Sequence, residues 1–62
     1  MTSVLIIEDE AVIRRTLDQA LRKAGFMVRC VANGMEGVEL YLAQPCDVVI
    51  TDIVMPVMDG LE

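Results

Sequence analysis

Acidic residues follow two mostly apolar runs in this chain. Glu8, Asp9 and Glu10 close the run Val4-Leu5-Ile6-Ile7, and Asp52 closes Val48-Val49-Ile50-Thr51. Carboxylates brought together repel one another, and desolvation raises the cost. A divalent cation relieves it. Hard oxygen donors suit Mg²⁺, which takes one or two carboxylates and keeps several waters. A carboxylate left over at such a site can act as a nucleophile. The chemistry on offer is therefore a Mg²⁺ site beside a nucleophilic aspartate. A plainer reading also stands: acids after strands often cap the next helix or complement its dipole. That reading serves Glu8-Asp9-Glu10 as well as a functional one does. It serves Asp52 poorly, because Ile53-Val54-Met55-Pro56 follows and no helix start is visible there.

The elements that would position these acids can be read from periodicity. Val4 to Ile7 is a short continuous apolar run, the pattern of a strand buried on both faces of a parallel sheet. Ala11, Ile13, Leu17, Ala20, Leu21 and Ala24 recur at helical spacing, with Arg14, Arg15, Asp18, Gln19, Arg22 and Lys23 between them. Acids at the start and bases in the last turn suit the helix dipole, and Gly25 is the expected C-terminal cap. Residues 26–31 read as a second strand with Arg29 outward, near a sheet edge. Asn33 is the expected N-cap of a second helix running through Met35, Val38, Leu40, Tyr41 and Leu42, with Pro45 beyond its end. Residues 47–52 read as a third strand. Pro56 and Asp59-Gly60 mark a loop after it. The order β-α-β-α-β predicts an α/β fold with a parallel sheet and right-handed crossovers. Parallel strands share one carboxyl edge, where such sheets bind ligands. If strands one and three are neighbours, Glu8, Asp9 and Asp52 converge there.

Composition narrows the classes. The chain has 62 residues, 55% of them hydrophobic, and a net charge of −5. It has room for one small domain, of a size that is marginally stable. The acidic balance argues against a nucleic-acid surface, which needs a basic face. No apolar run reaches the ~18 residues of a membrane span, and Met1-Thr2-Ser3 does not open a signal peptide. A cytoplasmic location is the expectation. Cys30 and Cys46 stand far apart and the chain has no His, which argues against a zinc site, and two buried free thiols are expected.

The segments Leu5-Ile6-Ile7-Glu8-Asp9-Glu10 and Asp47-Val48-Val49-Ile50-Thr51-Asp52-Ile53-Val54-Met55-Pro56-Val57-Met58-Asp59-Gly60 resemble the two acidic signatures of response-regulator receiver domains. The second carries the family's pattern of strand, Asp, two residues, Met-Pro, two residues, Asp-Gly. The resemblance covers essentially the whole chain. It implies a flavodoxin-like receiver fold and a role in two-component signalling. By this resemblance Asp52 is the phosphoacceptor, Asp9 ligates Mg²⁺, and Glu8 contacts the ion or one of its ligands. The backbone carbonyl of Val54 completes the protein ligands. The phosphoryl donor is a sensor histidine kinase, a phosphotransfer protein or a small phosphodonor. Asp52 is then a substrate, and the chain is not an enzyme in its own right.

Receiver domains run to roughly twice this length, with a sheet of order 2-1-3-4-5. Residues 1–62 are read as the N-terminal half, with a three-stranded sheet of order 2-1-3. The strand ending in a Ser or Thr switch and the strand ending in a phosphoryl-pairing Lys have no counterpart here. Lys23 cannot replace that Lys, since about 13 helical residues at ~1.5 Å each separate it from the acidic edge. Thr51 cannot replace the hydroxyl, because its side chain faces away from that of Asp52. An open third strand would favour a homo-oligomer or a domain-swapped assembly. The alternative function is accordingly a structural half-domain that self-associates through that strand. A haloacid-dehalogenase-like phosphohydrolase would need an acid where Val54 stands. Gly34-Met35-Glu36-Gly37 lacks the full glycine fingerprint of a nucleotide site.

Overall fold

The computed structural model describes residues 1–51. Five elements follow one another: β1 (Ser3–Ile7), α1 (Ala11–Lys23), β2 (Met27–Val31), α2 (Gly34–Ala43) and β3 (Val48–Thr51). All strand pairs are parallel and the order is β2-β1-β3. This is the expected flavodoxin-like arrangement, as far as three strands carry it.

β1 lies at the centre, and Val4, Leu5, Ile6 and Ile7 are each no more than 4% exposed. Its run is continuous because both faces are covered, one side chain per face in alternation. Val4 and Ile6 join Val28, with Leu17, Leu21, Cys30 and Ile50 packed against them. Ile7 points to the other face and meets α2 at Gly37. Among the described residues β2 and β3 are edges. Val48 and Val49 on β3 are 44% and 43% exposed, in keeping with the open third strand expected of a 2-1-3 sheet.

α1 turns a different side inward from the one the apolar spacing suggests. Leu17 and Leu21 pack on the core, but Ala11, Ile13, Ala20 and Ala24 are exposed, while Arg14 and Asp18 are half-buried. The inward, half-buried stripe is 14-17-18-21. Two polar residues sit on it because each has a partner. Arg14 Nη1 donates to the Glu8 carbonyl at 2.8 Å. Asp18 pairs with Arg22 at 2.6 Å, and Arg22 Nη2 donates to the Val28 carbonyl at 2.7 Å. Long side chains pack their apolar stems while the charged heads find partners.

Both helix ends that the sequence marks are closed as expected. Gly25 follows the C-cap of α1 with φ of 100°. Its N–H donates to the Arg22 carbonyl, and the Phe26 N–H reaches back to the Leu21 carbonyl. That pair of bonds is a Schellman closure, which places its left-handed residue just beyond the C-cap. At α2, Asn33 Oδ1 accepts from the Glu36 N–H at 2.8 Å. Glu36 returns the favour by accepting from the Ala32 N–H, a near relative of the capping box. Arg29 is half-buried on an edge strand and donates to the Gln44 side chain at the end of α2.

The two cysteines are free and half-buried rather than fully buried. Each lies on or beside an edge strand, where only part of the thiol can be covered. Burial, then the nearby Asp18 carboxylate, pushes the Cys30 thiol up from its ordinary value.

Candidate functional site

β1 and β3 run side by side in register, Val4 opposite Val48 and Ile7 opposite Thr51. Their carboxyl ends are therefore level. Glu8 follows Ile7, and Asp52 follows Thr51, in the sequence. The adjacency on which the convergence of the acids depends is thus present.

Glu8 stands one residue beyond β1. Its N–H donates to the Val31 carbonyl of β2 at 3.1 Å, and it is 4% exposed, a buried carboxylate. Glu8 Oε2 accepts from the Glu10 N–H at 3.1 Å. Glu10 is the N-cap of α1 and its own side chain makes no capping bond. The structural and functional readings of the acidic cluster are therefore divided among its members. Glu8 holds the turn by bonding the N-cap amide, whereas Asp9 and Glu10 are exposed.

Asp52 and Val54 lie outside the described residues, as do Pro56 and Asp59-Gly60. Among the described residues no group of three or more His, Cys, Asp or Glu side chains is placed to hold a metal ion. The donors present are Glu8 and Asp9. Both are hard oxygen donors, and the chain contains no imidazole. That chemistry fits Mg²⁺ and does not fit a zinc or copper site. A hollow of about 140 Å³ lies beside the same edge, lined by Ile6, Ile7, Glu8, Ile13, Leu17, Ile50 and Thr51. It is below the usual size of a small-molecule pocket.

Lys23 ends α1, a helix of 13 residues that begins just after the acidic turn. At ~1.5 Å per residue it stands about 18 Å further along the helix.

Two features of this edge and its opposite escape a reading by periodicity. One is the Arg14 bond to the Glu8 carbonyl, which spans six residues across a strand-to-helix turn. The other ties the opposite ends of β1 and β3. Asp47 Oδ2 accepts from the Ser3 N–H at 2.8 Å and the Ser3 hydroxyl at 3.2 Å. The Asp47 N–H donates to the Ser3 carbonyl at 3.1 Å in return. A signal for this clamp existed: a Ser and an Asp each stand immediately before apolar runs that pair in parallel.

A family model described as the response regulator receiver domain matches residues 4–62. The chain belongs to the response regulator receiver domain family. The receiver domain is 44% identical over 62 residues to the response regulator receiver protein CpdR of Brucella abortus (strain 2308), covering all of this chain and 52% of CpdR. It is 37% identical over 62 residues to the transcriptional regulatory protein AfsQ1 of Streptomyces coelicolor, covering 28% of that protein. It is 40% identical over 60 residues to the sensor kinase CckA of Brucella abortus, covering 94% of this chain and 6% of that protein. The receiver chain thus spans about half, or less, of the length of these relatives. Among its described residues no helix is long and apolar enough to cross a membrane.

Proposed function

We propose that this chain is the N-terminal half of a receiver domain and that Asp52 accepts a phosphoryl group in a two-component relay. The register of β1 and β3 carries this reading, because it brings level the two strand ends that Glu8-Asp9 and Asp52 follow. The family match across 4–62 supports it, and so does the similarity to a sensor kinase, a protein of the donor class. The donor is a sensor histidine kinase or a phosphotransfer protein, and the setting is cytoplasmic.

The chemistry assigns distinct tasks to the acids. An Asp52 carboxylate oxygen attacks phosphorus, the bond from phosphorus to the donor breaks, and the donor leaves with that bond's electrons. Asp9, exposed at the turn, would hold Mg²⁺ together with Asp52 and the Val54 carbonyl. Glu8 would contact the ion or one of its ligands. Bound there, Mg²⁺ would neutralise charge on the transferring phosphoryl oxygens. Glu8 also fixes the backbone that presents Asp9, through the Glu10 N–H. Asp52 is consumed in the transfer, so the chain is a substrate of the reaction.

Incubation with Mg²⁺ and acetyl phosphate, followed by intact-mass measurement, tests the reading. The expected result is slow, partial gain of one phosphoryl group, lost in Asp52→Ala and reduced in Asp9→Asn. The gain is slow because residues 1–62 contain neither the switch hydroxyl nor the phosphoryl-pairing Lys of the resemblance. No gain in the wild-type chain, or a gain that survives Asp52→Ala, overturns it.

A second reading rests on the exposure of Val48 and Val49 on β3. Here the chain is a half-domain that self-associates through that strand without phosphotransfer. Analytical ultracentrifugation at micromolar concentration separates the two states, and a compact monomer excludes this reading.

A further inference from the structure

Among the described residues, hydrogen bonds from Glu8, Glu10 and Arg14 hold the turn that carries Asp9, two of them from Arg14. The Glu8 N–H holds to the Val31 carbonyl, and Glu8 Oε2 holds the Glu10 N–H. The Arg14 backbone N–H donates to the Glu10 carbonyl at 2.9 Å, and Arg14 Nη1 donates to the Glu8 carbonyl at 2.8 Å. Arg14 therefore grips the residue before Asp9 and the residue after it. The side-chain bond is charge-assisted, hence stronger than a neutral one. Its donor is half-buried, which limits the alternatives open to the guanidinium.

We infer that Arg14 is a positioning residue for cation binding at the acidic turn, acting through the Glu8 and Glu10 backbone on Asp9. The inference rests on the proposed function, which makes Asp9 a ligand. Mg²⁺ demands near-ideal octahedral geometry, so a carboxylate set slightly wrong binds it worse. Partners that orient a metal's ligands typically change affinity by 10–100-fold when removed. Arg14 could also act in the opposite direction. A fixed positive charge beside the turn repels an incoming cation, and its removal would then tighten binding. Geometry and charge thus predict opposite signs for the same substitution.

The experiment titrates the full chain with MgCl₂ and follows the Asp9 and Glu10 amide resonances. Wild type, Arg14→Lys, Arg14→Met and Asp9→Asn are compared. Arg14→Met keeps the apolar stem and loses the donor. It is expected to weaken Mg²⁺ binding about tenfold, with Arg14→Lys in between because it restores one donor. Amide hydrogen exchange supplies a readout without metal. In Arg14→Met the Glu10 amide should exchange faster while that of Ile6, in the core, does not change. Unchanged or tighter Mg²⁺ binding in Arg14→Met overturns the inference. So does faster exchange at Glu10 and Ile6 together, which marks a general loss of stability. Failure of the underlying reading looks different: wild type shows no Mg²⁺ response, or Asp9→Asn binds as wild type does. Either of those results removes the inference along with the reading.

Discussion

Asp47 shows how one side chain can fix where a strand starts. It precedes β3, and Ser3 opens β1. The Ser3 N–H, and then the Ser3 hydroxyl, hold the Asp47 carboxyl below the ordinary carboxylate range, with a smaller contribution from the N-terminal charge. A depressed folded-state value stabilises the fold above the unfolded value, about 3.9 for Asp. That stabilisation is lost as the pH falls through the folded value. Asp47→Asn keeps an acceptor for both Ser3 donors but removes the charge. The variant should be less stable than wild type at pH 7, and the gap should close below pH ~4. Urea unfolding followed by circular dichroism at a series of pH values measures this. A gap that persists unchanged into acid would show that the charge is not what matters. The effect is small, because Asp47 is exposed. Its role is to anchor register at the end of the sheet opposite the acidic turn.

At the scale of elements, the sequence was legible wherever a local signal and a tertiary contact agreed. Gly25 and Asn33 closed their helices as their types suggested, because caps are satisfied by near neighbours in sequence. β1 was legible because burial on both faces leaves a continuous apolar run. α1 was legible as a helix but not in its rotation. Ile13 belongs to the apolar spacing yet is 45% exposed, while Arg14 and Asp18 turn inward. Periodicity counts apolar side chains and does not see that Arg14 finds the Glu8 carbonyl. Gly37 is a further case. A helix start was the evident reading of Gly34-Met35-Glu36-Gly37, but Gly37 also lets α2 approach β1. A Cβ there would lie 2.8 Å from Ile7 Cγ1 and closer still to Ile7 Cδ1. Helix propensity alone would make Gly37→Ala stabilising by about 1 kcal/mol. Overpacking in a filled site costs typically 1–3 kcal/mol. Ile7 is 4% exposed and has little room to move aside, so the clash should win. The variant is expected to be destabilised by about 1 kcal/mol or more in urea unfolding. A stabilised variant would mean that Ile7 repacks freely.

The whole molecule has an asymmetry that the strand order creates. β1 is covered on both faces and paired on both edges, but β3 pairs only with β1 among the described residues. Val48-Val49-Ile50 has the apolar composition of Val4 to Ile7 but a different place in the sheet. Composition alone does not separate a central strand from an edge; the order 2-1-3 does. Ile50 faces the α1 side and packs on the core, whereas Val49 lies on the opposite face. An exposed apolar edge is a template for another strand. In the chain of residues 1–62, β3 should therefore pair with β3 of a second copy about a twofold axis. Val49→Lys puts a charge on the exposed face and, by symmetry, brings two such charges together across the pair. Sedimentation velocity should shift from dimer to monomer in Val49→Lys. A dimer that survives Val49→Lys would mean the copies meet elsewhere. The exposed α2 residues Met35 and Leu42 would then be the first to substitute. The outcome bears on the acidic edge too, because strand pairing through β3 and the proposed Mg²⁺ site at the carboxyl edge of the sheet would share the same backbone. If the dimer forms through β3, Mg²⁺ binding and dimerisation should depend on each other, so that adding Mg²⁺ changes the dissociation constant. Dissociation constants equal with and without Mg²⁺ would show that dimerisation and Mg²⁺ binding are independent.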